Sequence, residues 1–225
     1  PPEPCEIGAL TSDVKGFVSS PQNCHQTLAG TGIARGGTMT VSEASAASGI
    51  ALRPAVLEDA AVIARLHDHV WRETYRDLAT PAAWEGLTEA VRLARWREVL
   101  ADQVRWTTLV AEREKQIVGF GSAGAPSEPI FEGRGEVRWL HVAPTLQGMG
   151  VGRRLMSALT QALAVQGYEG CALAVVAGND RAARFYRRLG GREIGRFTDP
   201  GPLWRSENIV FAWDELSLLM EAANP

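Results

Sequence analysis

The chain has 225 residues, of which 45% are hydrophobic and 22% charged, proportions suited to one soluble globular domain with a sizeable core. Its formal charge of −3, with arginines interspersed among acids, provides no footprint for nucleic acid. No apolar run reaches the roughly 20 residues of a membrane span, and no basic-then-apolar secretory segment opens the chain, so neither nucleic acid nor membrane is an expected partner.

Residues 1–49 are rich in Gly, Ser, Thr, Ala and Pro without either regular period, and read as a flexible N-terminal extension. Met39-Thr-Val-Ser-Glu looks like an internal start of translation, which would leave 225 − 38 = 187 residues as the functional protein. The three cysteines, Cys5, Cys24 and Cys171, have no metal-ligand spacing, and Cys5, Cys24 and His25 complete no four-ligand set. No metal is expected, and a reducing, cytoplasmic setting is the simplest reading.

Ile50 to Pro54 reads as a first strand ended by proline. Glu58-Asp59 then precede a helical pattern with Ala61, Val62, Leu66, Val70 and Trp71 on one apolar face. A second helix begins at Thr80-Pro81 and carries Trp84, Leu87, Val91, Leu93, Trp96 and Leu100, its tryptophans read as packing residues. From Trp106 the period becomes two, and Thr107–Glu112 with Gln116–Ser122 form a hairpin around a polar turn. A Pro/Gly-rich loop leads to the apolar strand Glu136–Val142, then a glycine-rich turn and a helix. A further strand, Cys171–Val176, runs into Gly178-Asn179-Asp180 and another helix. Arg192–Phe197 and Asn208–Trp213 close the chain as a pair of strands. The mixture of strands and helices indicates an α/β plan.

Along Glu136–Val142 the alternation slips: apolar residues fall at Val137 and Trp139, then at Leu140 and Val142. A β-bulge near Trp139 to His141 would produce this slip and splay the strand, as would a strand buried on both faces.

The turn Gln147-Gly148-Met149-Gly150-Val151-Gly152-Arg153 suits an anion, because glycine lets backbone N–H groups approach closely and a helix N-terminus follows. A dinucleotide fingerprint fails because Arg153 stands where the third glycine belongs, and a Walker A loop fails because Arg153-Arg154-Leu155 replaces Gly-Lys-Ser/Thr. What remains, Gln-x-x-Gly-x-Gly leading into a helix, resembles the pyrophosphate loop of the GCN5-related N-acetyltransferase (GNAT) superfamily. A second motif is similar to that family's later one: Asn179, then Tyr186 seven positions on, then the helix-ending Gly190.

The resemblance spans about Ile50 to Trp213 and implies a three-layer α+β acetyltransferase fold. That fold has a central mixed, mostly antiparallel sheet of six to seven strands, helices on both faces and a splayed central pair. It sets the domain at 50–217, with a tail over 218–225. It implies acetyl-CoA as cosubstrate, bound by Gln147, Gly148, Met149, Gly150, Val151, Gly152, Arg153 and Asn179 and by the strand residues Leu140, His141 and Val142. The implied reaction is direct transfer of acetyl to an amine of a small molecule or peptide. Tyr186 is the expected general acid, since a phenol with a pKa of about 10 holds a proton to donate. Glu136 is the first candidate for the base and His141 the second. Trp71, Tyr75, Trp204 and Glu207 come from the regions that flank the acceptor in relatives. Two departures stand out: Ala174 occupies the place of the glutamate base of ribosomal-protein acetyltransferases, which argues against that specificity, and Gly191 replaces the usual phenylalanine, which is expected to loosen packing. The resemblance leaves room for a homodimer. It also leaves room for a catalytically weak acyl-CoA-binding regulatory or scaffold protein, although retention of Tyr186 favours an enzyme.

Overall fold

A computed structural model describes residues 49–223. Nearly all of the expected extension, with Met39, Cys5 and Cys24, lies outside the described residues.

Seven strands form one sheet in the order β1-β2-β3-β4-β5-β7-β6. They are β1 (Ile50–Pro54), β2 (Trp106–Arg113), β3 (Gln116–Gly124), β4 (Gly135–Val142), β5 (Cys171–Val176), β6 (Arg192–Thr198) and β7 (Glu207–Trp213). Every neighbouring pair is antiparallel except β4 and β5, which run parallel at the centre. The mixed, mostly antiparallel sheet expected from the sequence is therefore what the chain forms. The β2–β3 hairpin turns on Glu114 (φ 51°) and Lys115 (φ 65°), a left-handed pair whose twist matches the strands it joins.

Helices cover both faces. On one, α1 (Ala60–Thr74) and α3 (Glu89–Ala101) enclose Val110, Phe120 and Trp139 together with Ile63, Trp96 and Leu100. On the other, α4 (Val151–Val165), α5 (Asp180–Arg188) and α6 (Leu216–Ala223) enclose Val137, Leu173, Phe211 and Trp213 with Met156, Leu159 and Leu163.

Four expectations are corrected. In α1 the buried stripe is Ala60, Ile63, Ala64, His67, Val70 and Trp71, while Ala61 and Val62 are exposed. A histidine occupies the inner face because Trp96 Nε1 donates to its Nδ1 at 3.1 Å, which satisfies a polar atom that burial would otherwise penalise. The single helix expected from Thr80 to Leu100 divides into α2 (Pro81–Gly86) and α3. Two threonines cap separate starts: Thr80 accepts from the Ala83 N–H at 3.2 Å and Thr88 from the Val91 N–H at 3.4 Å. Residues 218–223 belong to α6 rather than to a tail, and that helix places Leu216, Leu219 and Ala223 in the core.

The fourth correction concerns Gly191. Helix α5 ends in a Schellman motif, with the Gly191 N–H on Tyr186 O at 3.0 Å, the Gly190 N–H on Arg187 O at 3.0 Å and Gly190 at φ 80°. Trp213 fills the space beside it, its Nε1 donating to Leu189 O at 2.8 Å. A Cβ on Gly191 would lie 2.6 Å from Trp213 Cζ2 and 3.0 Å from Tyr186 O, so packing here is tight rather than loose. Gly191→Ala should therefore cost about 1–3 kcal/mol by overpacking, read as a lower denaturant midpoint; an unchanged midpoint contradicts this packing.

Candidate active site

The site begins where β4 and β5 part. They pair only at Gly135–Cys171 and Glu136–Ala172, so from Val137 onward the β5-facing edge of β4 carries no strand partner. On the other edge, Ser122 opposes Trp139 and Ala123 opposes Val137, which leaves Arg138 as an extra residue. The bulge expected from the phase slip thus sits at Arg138, one residue before the predicted stretch. It turns Trp139 and His141 toward α1 and α3, while Leu140 and Val142 pack on the α4 side.

Beyond β4 the chain enters the glycine-rich turn. Gln147 donates from Nε2 to Val142 O at 2.9 Å, tying the turn to the end of the strand. Gly148 (φ 83°) and Gly150 (φ 82°) adopt the left-handed conformation that favours glycine, and nothing in the described structure lies within 4 Å of where a Cβ would stand. Met149 is largely exposed, and the Val151 side chain is buried against Leu146 and Leu155.

Helix α4 starts here with Gly150 as N-cap and no side-chain cap, so its first N–H groups lack intrahelical acceptors. Its first turn carries no acid and instead has Arg153 and Arg154, opposite to the usual complement of a helix dipole. Both features disfavour the helix start alone and favour it beside a bound anion.

Helix α5 follows the other member of the diverging pair. Asn179 caps it, Oδ1 accepting from the Ala182 N–H at 3.1 Å, and Tyr186 lies two turns on, 7% exposed between Phe211 and Trp213. Burial pushes the Tyr186 phenol above its ordinary pKa, and the neighbouring Tyr75 adds to the rise. The phenol therefore keeps its proton through the physiological range.

Three of the four residues expected near the acceptor come together. Trp71, Tyr75 and Trp204 form an aromatic cluster, tilted for Trp71–Tyr75 (ring centroids 5.6 Å apart) and edge-on for Tyr75–Trp204 (5.3 Å) and Trp71–Trp204 (6.0 Å). Trp84 joins it at 5.7 Å from Trp71. The Thr80 hydroxyl donates to Leu203 O at 2.6 Å and so fastens the start of α2 to the β6–β7 loop that carries Trp204. Glu207 stands apart: its exposed carboxylate accepts from the Thr198 hydroxyl across the β6–β7 pair.

Of the two candidate bases, Glu136 is 5% exposed on β4, with one oxygen accepting from the Ser127 N–H at 2.8 Å and the other 3.5 Å from Arg138 Nε. His141 packs with His67 (4.7 Å between ring centroids) and Phe120 (5.1 Å) under α1. Arg138 and Arg95 stand beside this region without having been marked by any motif. The signal for Arg138 was the phase slip itself, since a bulge turns two consecutive side chains to one face. Among the described residues no group of three or more His, Cys, Asp or Glu side chains could hold a metal ion, and no helix is long and apolar enough to cross a membrane. Cys171 is a buried free thiol, its pKa pushed up to about 12 by burial.

Residues 64–191 match the model of the Acetyltransferase (GNAT) family. No curated protein matches the chain. Among solved structures, the PaiA N-acetyltransferase from Thermoplasma acidophilum in complex with coenzyme A superposes with a TM-score of 0.60 at 17% identity, covering 72% of this chain and 97% of that one. The yncA protein from Salmonella typhimurium with its cofactor acetyl-CoA gives 0.57 at 22% identity, covering 75% and 95%. A GCN5-related N-acetyltransferase from Rhodopseudomonas palustris gives 0.59 at 25% identity, covering 78% and 98%.

The burial of Tyr186 is open to direct titration. At about pH 11, a unit above the ordinary phenol value, wild type and Tyr186→Phe should give the same ultraviolet tyrosinate signal. An excess of one tyrosinate in the wild type would contradict the protected phenol.

Proposed function

This chain belongs to the acetyltransferase (GNAT) family, and from that membership we propose that it transfers the acetyl group of acetyl-CoA directly to a primary amine of a small molecule or peptide. The observation that carries the reading is the start of α4: an uncapped helix N-terminus, two left-handed glycines with open space beside them, and arginines where acids would ordinarily stand. These features suit a pyrophosphate, and the unpaired edge of β4 suits an extended arm beside it. When bound, acetyl-CoA supplies an acetyl group activated as a thioester.

The work of the chain's own residues follows from their placement. The N–H groups of Val151, Gly152 and Arg153 hold the diphosphate, and Gln147 keeps the turn in position through Val142. Backbone groups of Leu140, His141 and Val142 line the pantetheine side, where N–H groups can polarise the reacting carbonyl. Asn179 fixes the start of α5 and thereby the depth of Tyr186. Tyr186 holds a proton at its phenol oxygen for the departing sulfur. Glu136 receives the proton that the amine must lose, directly or through water, with His141 as the second candidate. Tyr75 and Trp204 supply aromatic surface suited to a cationic amine, backed by the fully buried Trp71, whose ring already lies against Arg92. A cytoplasmic setting is part of the same reading.

Two substitutions test these roles. Tyr186→Phe should lower kcat about 100-fold or more while leaving coenzyme A affinity within a few-fold by calorimetry; unchanged turnover removes Tyr186 from the acid role. Glu136→Gln should lower kcat/KM by a similar factor and displace the acid limb of its pH profile, because a base acts only when deprotonated. A profile that does not move transfers the role to His141.

A further inference from the structure

The environment of Arg138 points to the chemical class of the acceptor. This inference rests on the acetyltransferase reading and adds to it. The Arg138 side chain is only 3% exposed, although the residue as a whole is half-buried, so its accessible part is the backbone of the bulge. Among the described residues, neither Nε nor Nη1 makes a hydrogen bond. The guanidinium lies against two rings, 5.0 Å from the centroid of Trp106 and 5.4 Å from that of Trp139, and its ion pair is the 3.5 Å approach to Glu136. That carboxylate already spends its other oxygen on the Ser127 N–H.

A second guanidinium converges on the same ring: Arg95 of α3 lies 5.8 Å from the Trp139 centroid. Arg105 stands over Trp106 at 5.5 Å. The acids acting on this group are Glu136, Glu128 and Asp199 around Arg138 and Glu98 beside Arg95. Burial lowers the pKa of both arginines, Arg95 to about 10 with repulsion from Arg138 contributing. A buried guanidinium with two nitrogens lacking acceptors is costly unless an anion completes it. Its planar fork matches a carboxylate or similar oxyanion.

We propose that Arg138, seconded by Arg95, binds an acidic group on the acceptor, so that the acceptor is an amine carrying a carboxylate close to its amino group. Glu136 and Arg138 form a plus–minus pair 3.5 Å apart on one face of the bulge, complementary to the two ends of an amino-acid zwitterion. The ammonium end is directed to Glu136 and the carboxylate end to Arg138. This favours amino acids and compounds like them over polyamines and neutral amino sugars.

The test compares matched pairs, phenylalanine with phenethylamine and leucine with 3-methylbutylamine, for binding to the full chain saturated with coenzyme A, by calorimetry, and for thiol release with acetyl-CoA. The wild type should bind the carboxylated member of each pair at least about tenfold more tightly, and Arg138→Met should remove that preference while retaining coenzyme A affinity. The wild-type comparison stands even where the variant folds poorly. Equal or tighter binding of the decarboxylated amines, or no binding of either member, overturns the proposal. Acetylation of amines without this selection also overturns it while leaving the acetyltransferase reading intact. Selective binding without thiol release supports the anion subsite and counts against acetyl transfer alone.

Discussion

The rest of the molecule depends on how briefly β4 and β5 pair. Two register positions, Gly135–Cys171 and Glu136–Ala172, join the halves of the sheet before the strands separate. A parallel pair that continued would have used its backbone donors and acceptors in a ladder. Ending it leaves the β4 edge from Val137 to Val142 without a strand partner; Gln147 meets Val142 O, and a ligand or water can serve the backbone groups before it. The bulge at Arg138 works with the divergence, because it re-aims Trp139 and His141 toward α1 and α3 and sends Leu140 and Val142 toward α4.

From that opening two sides follow. On the α4 side stand the glycine turn, the uncapped helix start and the arginines of its first turn. On the α1 and α3 side stand Glu136, the buried Arg138 and the aromatic cluster of Trp71, Tyr75 and Trp204. Tyr186 belongs to α5, the helix that leaves the diverging β5, and the neighbouring Tyr75 adds to the rise that burial causes in its pKa. Each side contains groups that destabilise the protein by itself, whether open N–H groups, like charges or guanidinium nitrogens lacking acceptors. Such conflicts with local rules gather where function requires them.

The geometry of the proposed donor side was legible in the sequence because its determinants are local. Gln147, Gly148 and Gly150 act through backbone conformation and a helix start, and the spacing of Asn179, Tyr186 and Gly190 fixes a cap, two turns and a termination. The proposed acceptor side was less legible because its residues meet only through tertiary packing. Trp71 and Tyr75 come from α1 and Trp204 from the β6–β7 loop, while Arg95 and Arg138 approach one tryptophan from a helix and a strand. The place of Glu207 in the chain likewise says nothing of its partner across the hairpin, Thr198. Gly191 misled because the loss of one ring was offset by Trp213 from a distant strand. The break between α2 and α3 was hidden because a helical period continues across two threonine caps.

The central claim is that the start of α4 and the free edge of β4 form the donor site. Residue-resolved amide spectra recorded during titration with coenzyme A test it most directly. The account predicts that the amides of residues 148–153 shift and gain protection from exchange, with those of Val137 to Val142 responding alongside. A titration in which coenzyme A binds while both stretches stay unchanged, and the response falls elsewhere on the chain, would contradict it.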